Sequence, residues 1–340
     1  MTLKAALRDG AQDLIGAGAG LWPLSILTRR YFGRRIPIIF YHAVWRSGDP
    51  RLKLFGGVET GSFERDLARL ARMFDFAPLD EVLSAPAARG KSKVAITFDD
   101  GFDLIAGGAI DVLRGFGVRA TVFVNDDSWR YKRLLWQHAF GVISAMRGEA
   151  SFLRAFNEIQ RQQRLGARIE AFAQFIDATK AWPVGAFETA ADEIWASCEM
   201  PPMAEFLSQH RPYLDHAGLA HWRRLGHDVG FHGKSHLWSK ALGVAEIVEQ
   251  YEAPARALKD LFGLDRIAFA YPFGDRLPPE QERALAATGV FSCLLGTDRL
   301  SRRGESPFAV DRVEADFGLV RHFFGRMLLR SLRRQDATPV

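Results

Sequence analysis

The apolar run Val94-Ala-Ile-Thr-Phe98 ends abruptly in two adjacent carboxylates, Asp99 and Asp100, followed by Gly101. Like charges side by side repel unless a cation or a shared proton compensates them, and Asp is disfavoured in strands. One Asp at such a place is commonly a helix N-cap. Two call for more, and a metal site is the sharper reading. Further along, His232 and His236 lie four apart in Phe231-His-Gly-Lys-Ser-His236, close enough to converge on one ion from a turn. An imidazole pair suits zinc or a neighbouring transition metal. Taken alone the pair is weak evidence, since two satisfied surface histidines would read the same. Two histidines with one carboxylate make a three-ligand catalytic site that keeps a position for water, whose pKa the metal lowers toward about 7. The second carboxylate is then available as a base on that water.

The elements that must position these groups alternate. Short apolar, β-branched runs beginning at Ile36, Val94, Ala120, Asp228, Ile267, Val290 and Val310 read as seven strands. Helices fall between them: from Ser62 to about Phe74 with Ser62 as N-cap, over Ala109–Phe116, Leu219–Leu225, Ala245–Phe262 and Glu280–Ala287. Phe76 to Leu79 is a further short strand candidate. Seven parallel strands with intervening helices form either a barrel or an open doubly wound sheet, and both place functional groups at the C-terminal strand ends. The alternation breaks from about 126 to 215, where Leu134–Met146, Phe152–Gln163 and Ile169–Ala178 have helical spacing. This segment reads as a helical insertion whose aromatics, Trp129, Trp136, Phe140 and Trp195, form its own small core.

With 340 residues, 48% hydrophobic and 25% charged, the chain can bury a large core. Its two cysteines, Cys198 and Cys293, stand far apart, so neither a disulfide framework nor a thiolate metal site is indicated. The net charge of +5 is uneven: residues 1–35 carry six Lys/Arg against two Asp, and residues 317–340 carry five Arg against one Asp. The stretch between is therefore acidic, which argues against a nucleic-acid-binding core. Leu14–Thr28 is uncharged but too short to span a bilayer, and its flanking arginines follow it, the wrong side for a cleavable secretory signal. The expectation is a cytoplasmic protein whose basic ends touch the inner membrane surface. Leu319–Leu332, with Val320, Phe323, Phe324, Met327 and Leu328 on one side and Arg326 and Arg330 on the other, suits a basic amphipathic helix.

Thr97-Phe-Asp-Asp-Gly101, Gly230-Phe-His-Gly-Lys-Ser-His236 and Tyr271-Pro-Phe-Gly274, in that order, resemble the signature motifs of the polysaccharide deacetylases, carbohydrate esterase family 4. Phe40-Tyr-His-Ala-Val44 and Asp311-Arg-Val313 extend the resemblance, which covers about 36–126 and 217–315 and skips the insertion. It implies an irregular (β/α)7 barrel, a deformed TIM-like barrel, within a domain spanning 36–316. It also implies a divalent metal, zinc first, on Asp100, His232 and His236, with Asp99 as the catalytic base. The reaction implied is hydrolysis of N-acetyl groups on a sugar in a polysaccharide or its precursor. The backbone N–H of Phe273, with Tyr271 of the same motif, would hold the oxyanion, because Pro272 has no N–H to give. Two departures stand out. The Arg that often precedes the third motif's proline by two residues is Ala270 here, which makes Arg312 the substitute partner for Asp99. No terminal Leu-x-His supplies the general acid, which makes His42 the candidate ahead of His322. The rival readings are a deformylase or deacetylase of a lipid-linked sugar, and a catalytically weak glycan-binding domain, which would have no reason to carry both Asp99 and Asp100.

Overall fold

The structure, a computed structural model, describes residues 32–86 and 90–316. The expected basic segment up to residue 31, the helix over 317–340 and His322 lie outside the described residues. Eleven strands are described: β1 (Ile38–Tyr41), β2 (Val44–Trp45), β3 (Val58–Glu59), β4 (Phe74–Phe76), β5 (Ser92–Phe98), β6 (Thr121–Val124), β7 (Asp228–Phe231), β8 (Ile267–Ala270), β9 (Phe291–Gly296), β10 (Val310–Asp311) and β11 (Val313–Glu314). The main sheet runs β10-β9-β8-β7-β6-β5-β1-β11, with β4 beside β5 and every pair parallel. β1 and β6 are buried along their whole length, as expected of strands covered on both faces.

The stretch expected as one strand from Val310 is two, and the division closes the fold. Val310 and Asp311 pair with β9, whereas Val313 and Glu314 pair with β1. Only Arg312 lies between them, so both edges of the sheet meet on one short segment and the sheet curls into a nearly closed, TIM-like barrel. The short strand expected from Phe76 starts two residues earlier, at Phe74–Phe76, because Pro78 sets up the helix Leu79–Ser84. The helix expected from Ser62 starts at Thr60 and has no side-chain cap.

Between β6 and β7 the chain is helical, with principal helices Trp136–Arg147, Glu149–Gln163, Ala186–Ser197 and Met203–His210. The helix expected over Ile169–Ala178 shrinks to Phe175–Ala178 after a short 3-10 turn. Gln174 reaches back to accept the backbone N–H groups of Glu170 and Ala171, which delays the helix. Phe140, Phe152, Phe156, Phe175 and Trp182 pack ring against ring in this segment. No helix among the described residues is long and apolar enough to cross a membrane.

Candidate active site

Register brings the chemistry to one level. Tyr41 pairs with Phe98 and Val124 with Phe231, so His42, Asp99, Asn125 and His232 each follow a strand at the same rim of the barrel. This is the C-terminal rim, where strand ends leave side chains free of the sheet. Asp100, His236 and Phe273 all have left-handed backbone, with φ of 65°, 54° and 56°. Each costs about 1–3 kcal/mol, and their clustering at one rim marks a site that the surrounding structure holds under strain. Gly274 follows Phe273 because a Cβ there would come within 1.9 Å of Thr297 Oγ1.

Asp100, His232 and His236 offer ligand atoms that all lie within 4.8 Å of one another, and all three residues are buried. Asp100 Oδ1 is 3.2 Å from His236 Nε2 and 3.5 Å from His232 Nε2. A tetrahedral zinc with ligands at about 2.0–2.1 Å has ligand–ligand edges of roughly 3.3–3.4 Å, so the spacing fits. The chemistry of the donors fits as well. His232 Nδ1 hydrogen-bonds the Ala270 carbonyl at 2.7 Å, so its proton sits there and Nε2 presents a bare lone pair. Asp100 Oδ1 is buried with no hydrogen-bond partner. Two facing lone pairs away from water repel unless a cation lies between them.

The histidine loop is fastened from both sides. Asn125 Nδ2 donates to the carbonyls of His232 and Gly233. On the other side, the single helix expected over Ala245–Phe262 runs over Val244–Leu261 and carries a π turn at Val248–Glu252 just before Pro254. Pro254 has no N–H for the Gln250 carbonyl four residues back, and that carbonyl instead accepts the Lys234 N–H at 2.8 Å. The Gln250 side chain accepts the neighbouring Ser235 N–H at 3.3 Å.

Asp99 stands beside this group, with Oδ2 3.8 Å from His232 Nε2. Arg312 grips it in a two-pronged pair, Nη1 to Oδ1 at 2.7 Å and Nη2 to Oδ2 at 2.8 Å. Nη1 also lies 3.3 Å from Thr97 Oγ1, and the guanidinium lies over the rings of Phe40 and Phe123. Ala270 packs in the same apolar cluster as Phe123, one of the two rings under the guanidinium. Burial pushes the Asp99 carboxyl up, but the Arg312 guanidinium outweighs it and holds it below its ordinary value. Burial likewise opposes ionisation of Asp100, which His236 and His138 hold well below the ordinary carboxylate range. Burial draws His232 down to about 4, so the imidazole is neutral, the form a metal ligand needs.

His42 follows β1, and its Nδ1 hydrogen-bonds Asp316 Oδ2 while its backbone N–H donates to the same carboxylate at 3.1 Å. Burial opposes its protonation, but Asp316 overrides that and raises the imidazole to about 10. Phe273 stacks on Trp238 at 3.9 Å and meets the edge of His236 at 4.4 Å, which pins its left-handed backbone. Tyr271 is a correction. Expected beside Phe273 as a substrate contact, it is fully buried against Phe269 and Tyr251 and presents no surface to a ligand. Its strand neighbour Ala270 packs in a different apolar cluster, the one that holds Phe123, and the alternation of the strand carries Tyr271 the other way.

Three neighbours were not legible beforehand. Asp316 has no motif around it. Arg276 ties the loop after β8 to the Leu294 and Val310 carbonyls and so steadies the segment that carries Arg312. His138, from the helix Trp136–Arg147, places Nε2 3.0 Å from Asp100 Oδ2. A lone histidine in a helical segment carries no pattern that would have singled it out.

No family model matches the sequence, and no curated protein does. Solved structures do match. The Streptococcus pyogenes deacetylase PplD, solved in complex with acetate, is 14% identical, with 87% of this chain and 97% of that one covered and a TM-score of 0.52. BC0361, a polysaccharide deacetylase from Bacillus cereus, is 14% identical over 86% of this chain and 69% of its own, also with a TM-score of 0.52. At these identities the likeness speaks for the fold, and together with the strand order it shows that the chain has the fold of the polysaccharide deacetylase family.

Proposed function

We propose that the protein is a metal-dependent hydrolase that removes N-acetyl groups from an amino sugar in a polysaccharide or its precursor. The observation that carries the reading is the buried Asp99–Arg312 pair standing beside the Asp100, His232 and His236 cluster: one carboxylate held ionised for proton work, the other committed to a cation. Zinc is the cation we favour, from the two imidazoles and the edge lengths. A divalent ion there supplies Lewis-acid polarisation and brings the pKa of water toward about 7. Asp99, kept ionised by Arg312, takes the proton from the attacking water. The Phe273 N–H donates to the oxyanion that develops on the amide. His42, protonated and oriented by Asp316, gives a proton to the departing amine, as an imidazole held by a carboxylate does in other hydrolases.

Release of acetate from N-acetylated amino sugars, with formate from N-formyl analogues as the contrast, is expected after loading with zinc and not after chelation. Absence of either product across mono-, oligo- and carrier-linked substrates with defined metals would overturn the reading.

The His42–Asp316 pair adds a pH signature. A raised histidine pKa means that the pair's stabilisation is fully present below the ordinary value of about 6.5 and is lost as pH rises through about 10. The basic limb of kcat/KM is therefore expected near pH 10, and Asp316→Asn is expected to move it down by more than one pH unit. A limb that stays where it was in pH–rate profiles of the variant removes His42 as the acid.

A further inference from the structure

The helical segment between β6 and β7 has no part in the reaction above, yet it sends a polar chain into the site. We propose that His138 and Tyr213 are a positioning pair for Asp100, holding its Oδ2 so that Oδ1 is presented to the metal. This inference rests on Asp100 being a metal ligand.

The hydrogen-bond accounting allows one arrangement. An ionised carboxylate only accepts, so His138 Nε2, 3.0 Å from Asp100 Oδ2, must carry a proton. In a neutral ring Nδ1 is then an acceptor, and the group beside it is the Tyr213 hydroxyl, which must donate. The Tyr213 oxygen in turn accepts the Leu135 N–H at 3.3 Å. The chain from Leu135 through Tyr213 and His138 to Asp100 is thus satisfied at each link, and it ends on one oxygen of the carboxylate while the other has no partner. A carboxylate that binds a metal through one oxygen and accepts a hydrogen bond on the other is oriented in this way.

Both members are anchored to the turn they serve. Tyr213 forms an antiparallel bridge with Phe102, and Leu214 N–H donates to the Gly101 carbonyl at 2.9 Å, so the segment is tied to the residues that follow Asp100. The His138 ring lies 4.8 Å from Phe102 and 5.8 Å from Tyr213, centroid to centroid. One helical residue pair earlier, Trp136 Nε1 donates to the His236 carbonyl at 3.0 Å. A single helix therefore touches two of the three proposed ligands. Metal affinity then depends on a segment that lies outside the motifs, and packing changes there reach the metal through His138.

The test is zinc affinity by competition with a chromophoric chelator, on full-length protein whose fold is checked by circular dichroism. His138→Leu is expected to weaken zinc binding by about 10–100-fold. His138→Gln, whose amide N–H2 sits near the place of Nε2, is expected to recover most of that loss, and Tyr213→Phe to weaken binding less than His138→Leu does. The cobalt-substituted His138→Gln protein is expected to keep the wild-type visible bands. Wild-type affinity in His138→Leu, no recovery in His138→Gln, or shifted cobalt bands would each overturn the positioning role, the last by making His138 a ligand itself. Undiminished zinc binding in His232→Ala would instead overturn the metal reading on which the proposal stands.

Discussion

Asp99→Asn is expected to lower kcat for acetate release by roughly 10²–10⁴-fold while zinc affinity stays within a few-fold of wild type. The amide has nearly the same shape and still accepts one hydrogen bond from Arg312, but it cannot take a proton from water. Zinc uptake is spared because Asp100, not Asp99, points an unpartnered oxygen at the two histidines. The substitution leaves the Arg312 charge buried with half its partner, so the variant's fold is checked by thermal unfolding alongside kinetics. Turnover at the wild-type rate would show that another group is the base; loss of zinc together with turnover would show that the two adjacent carboxylates have exchanged roles.

Arg312→Met is expected to cost about 3–5 kcal/mol of stability at neutral pH and most of the activity. It removes both hydrogen bonds and the one guanidinium that pairs with Asp99 among the described residues, and the carboxylate, 2% exposed in the native protein, loses its direct ion-pair partner. The pH dependence follows from the sign of the Asp99 shift. In the native protein Asp99 lies below its ordinary value, so its stabilisation is present above about pH 3.9 and is lost as pH falls through the lowered folded value. In Arg312→Met burial is no longer outweighed by the guanidinium, the carboxyl rises, and ionisation becomes a penalty that grows with pH. The stability gap between the two proteins, read from denaturant unfolding with metal chelated, is thus expected to narrow on acidification. Arg312→Lys should fall between, because an ammonium keeps the charge and loses the fork. A methionine variant as stable as wild type at pH 7, with no change in the gap on acidification, would mean that Asp99 is not held by this pair.

The sequence by itself determined those features that are written within a few residues. Apolar runs ending in Asp99-Asp100, His232 and Tyr271-Pro272 marked strand ends, because a strand buried on both faces must be apolar until it emerges. The spacing of His232 and His236 marked a pair that one short loop can turn onto one ion. Alternation of strands and helices marked parallel strands, in a barrel or an open sheet, and the resemblance carried by the order of motifs turned that into a barrel and an expectation of different work for the two aspartates. Local pattern also misled where it was read too literally: Tyr271 belongs to a motif, but the alternation of the strand sends its side chain into the core.

The tertiary structure decided which further side chains stand around the two aspartates, and of these Arg312 alone had been offered beforehand, through the resemblance. Arg312 meets Asp99 across 213 residues because the last strand is broken at that residue to close the barrel, and its guanidinium lies over the rings of Phe40 and Phe123. Asp316 finds His42 across 274 residues for the same reason, since β11 is laid against β1. His138 reaches Asp100 from a segment outside the alternation altogether. The physical reason is common to all three. Periodicity along a chain records how each element buries its own face, whereas the partner of a buried charge is whichever group the closed barrel brings within hydrogen-bond distance, and that depends on register and closure rather than on any run of neighbouring residues.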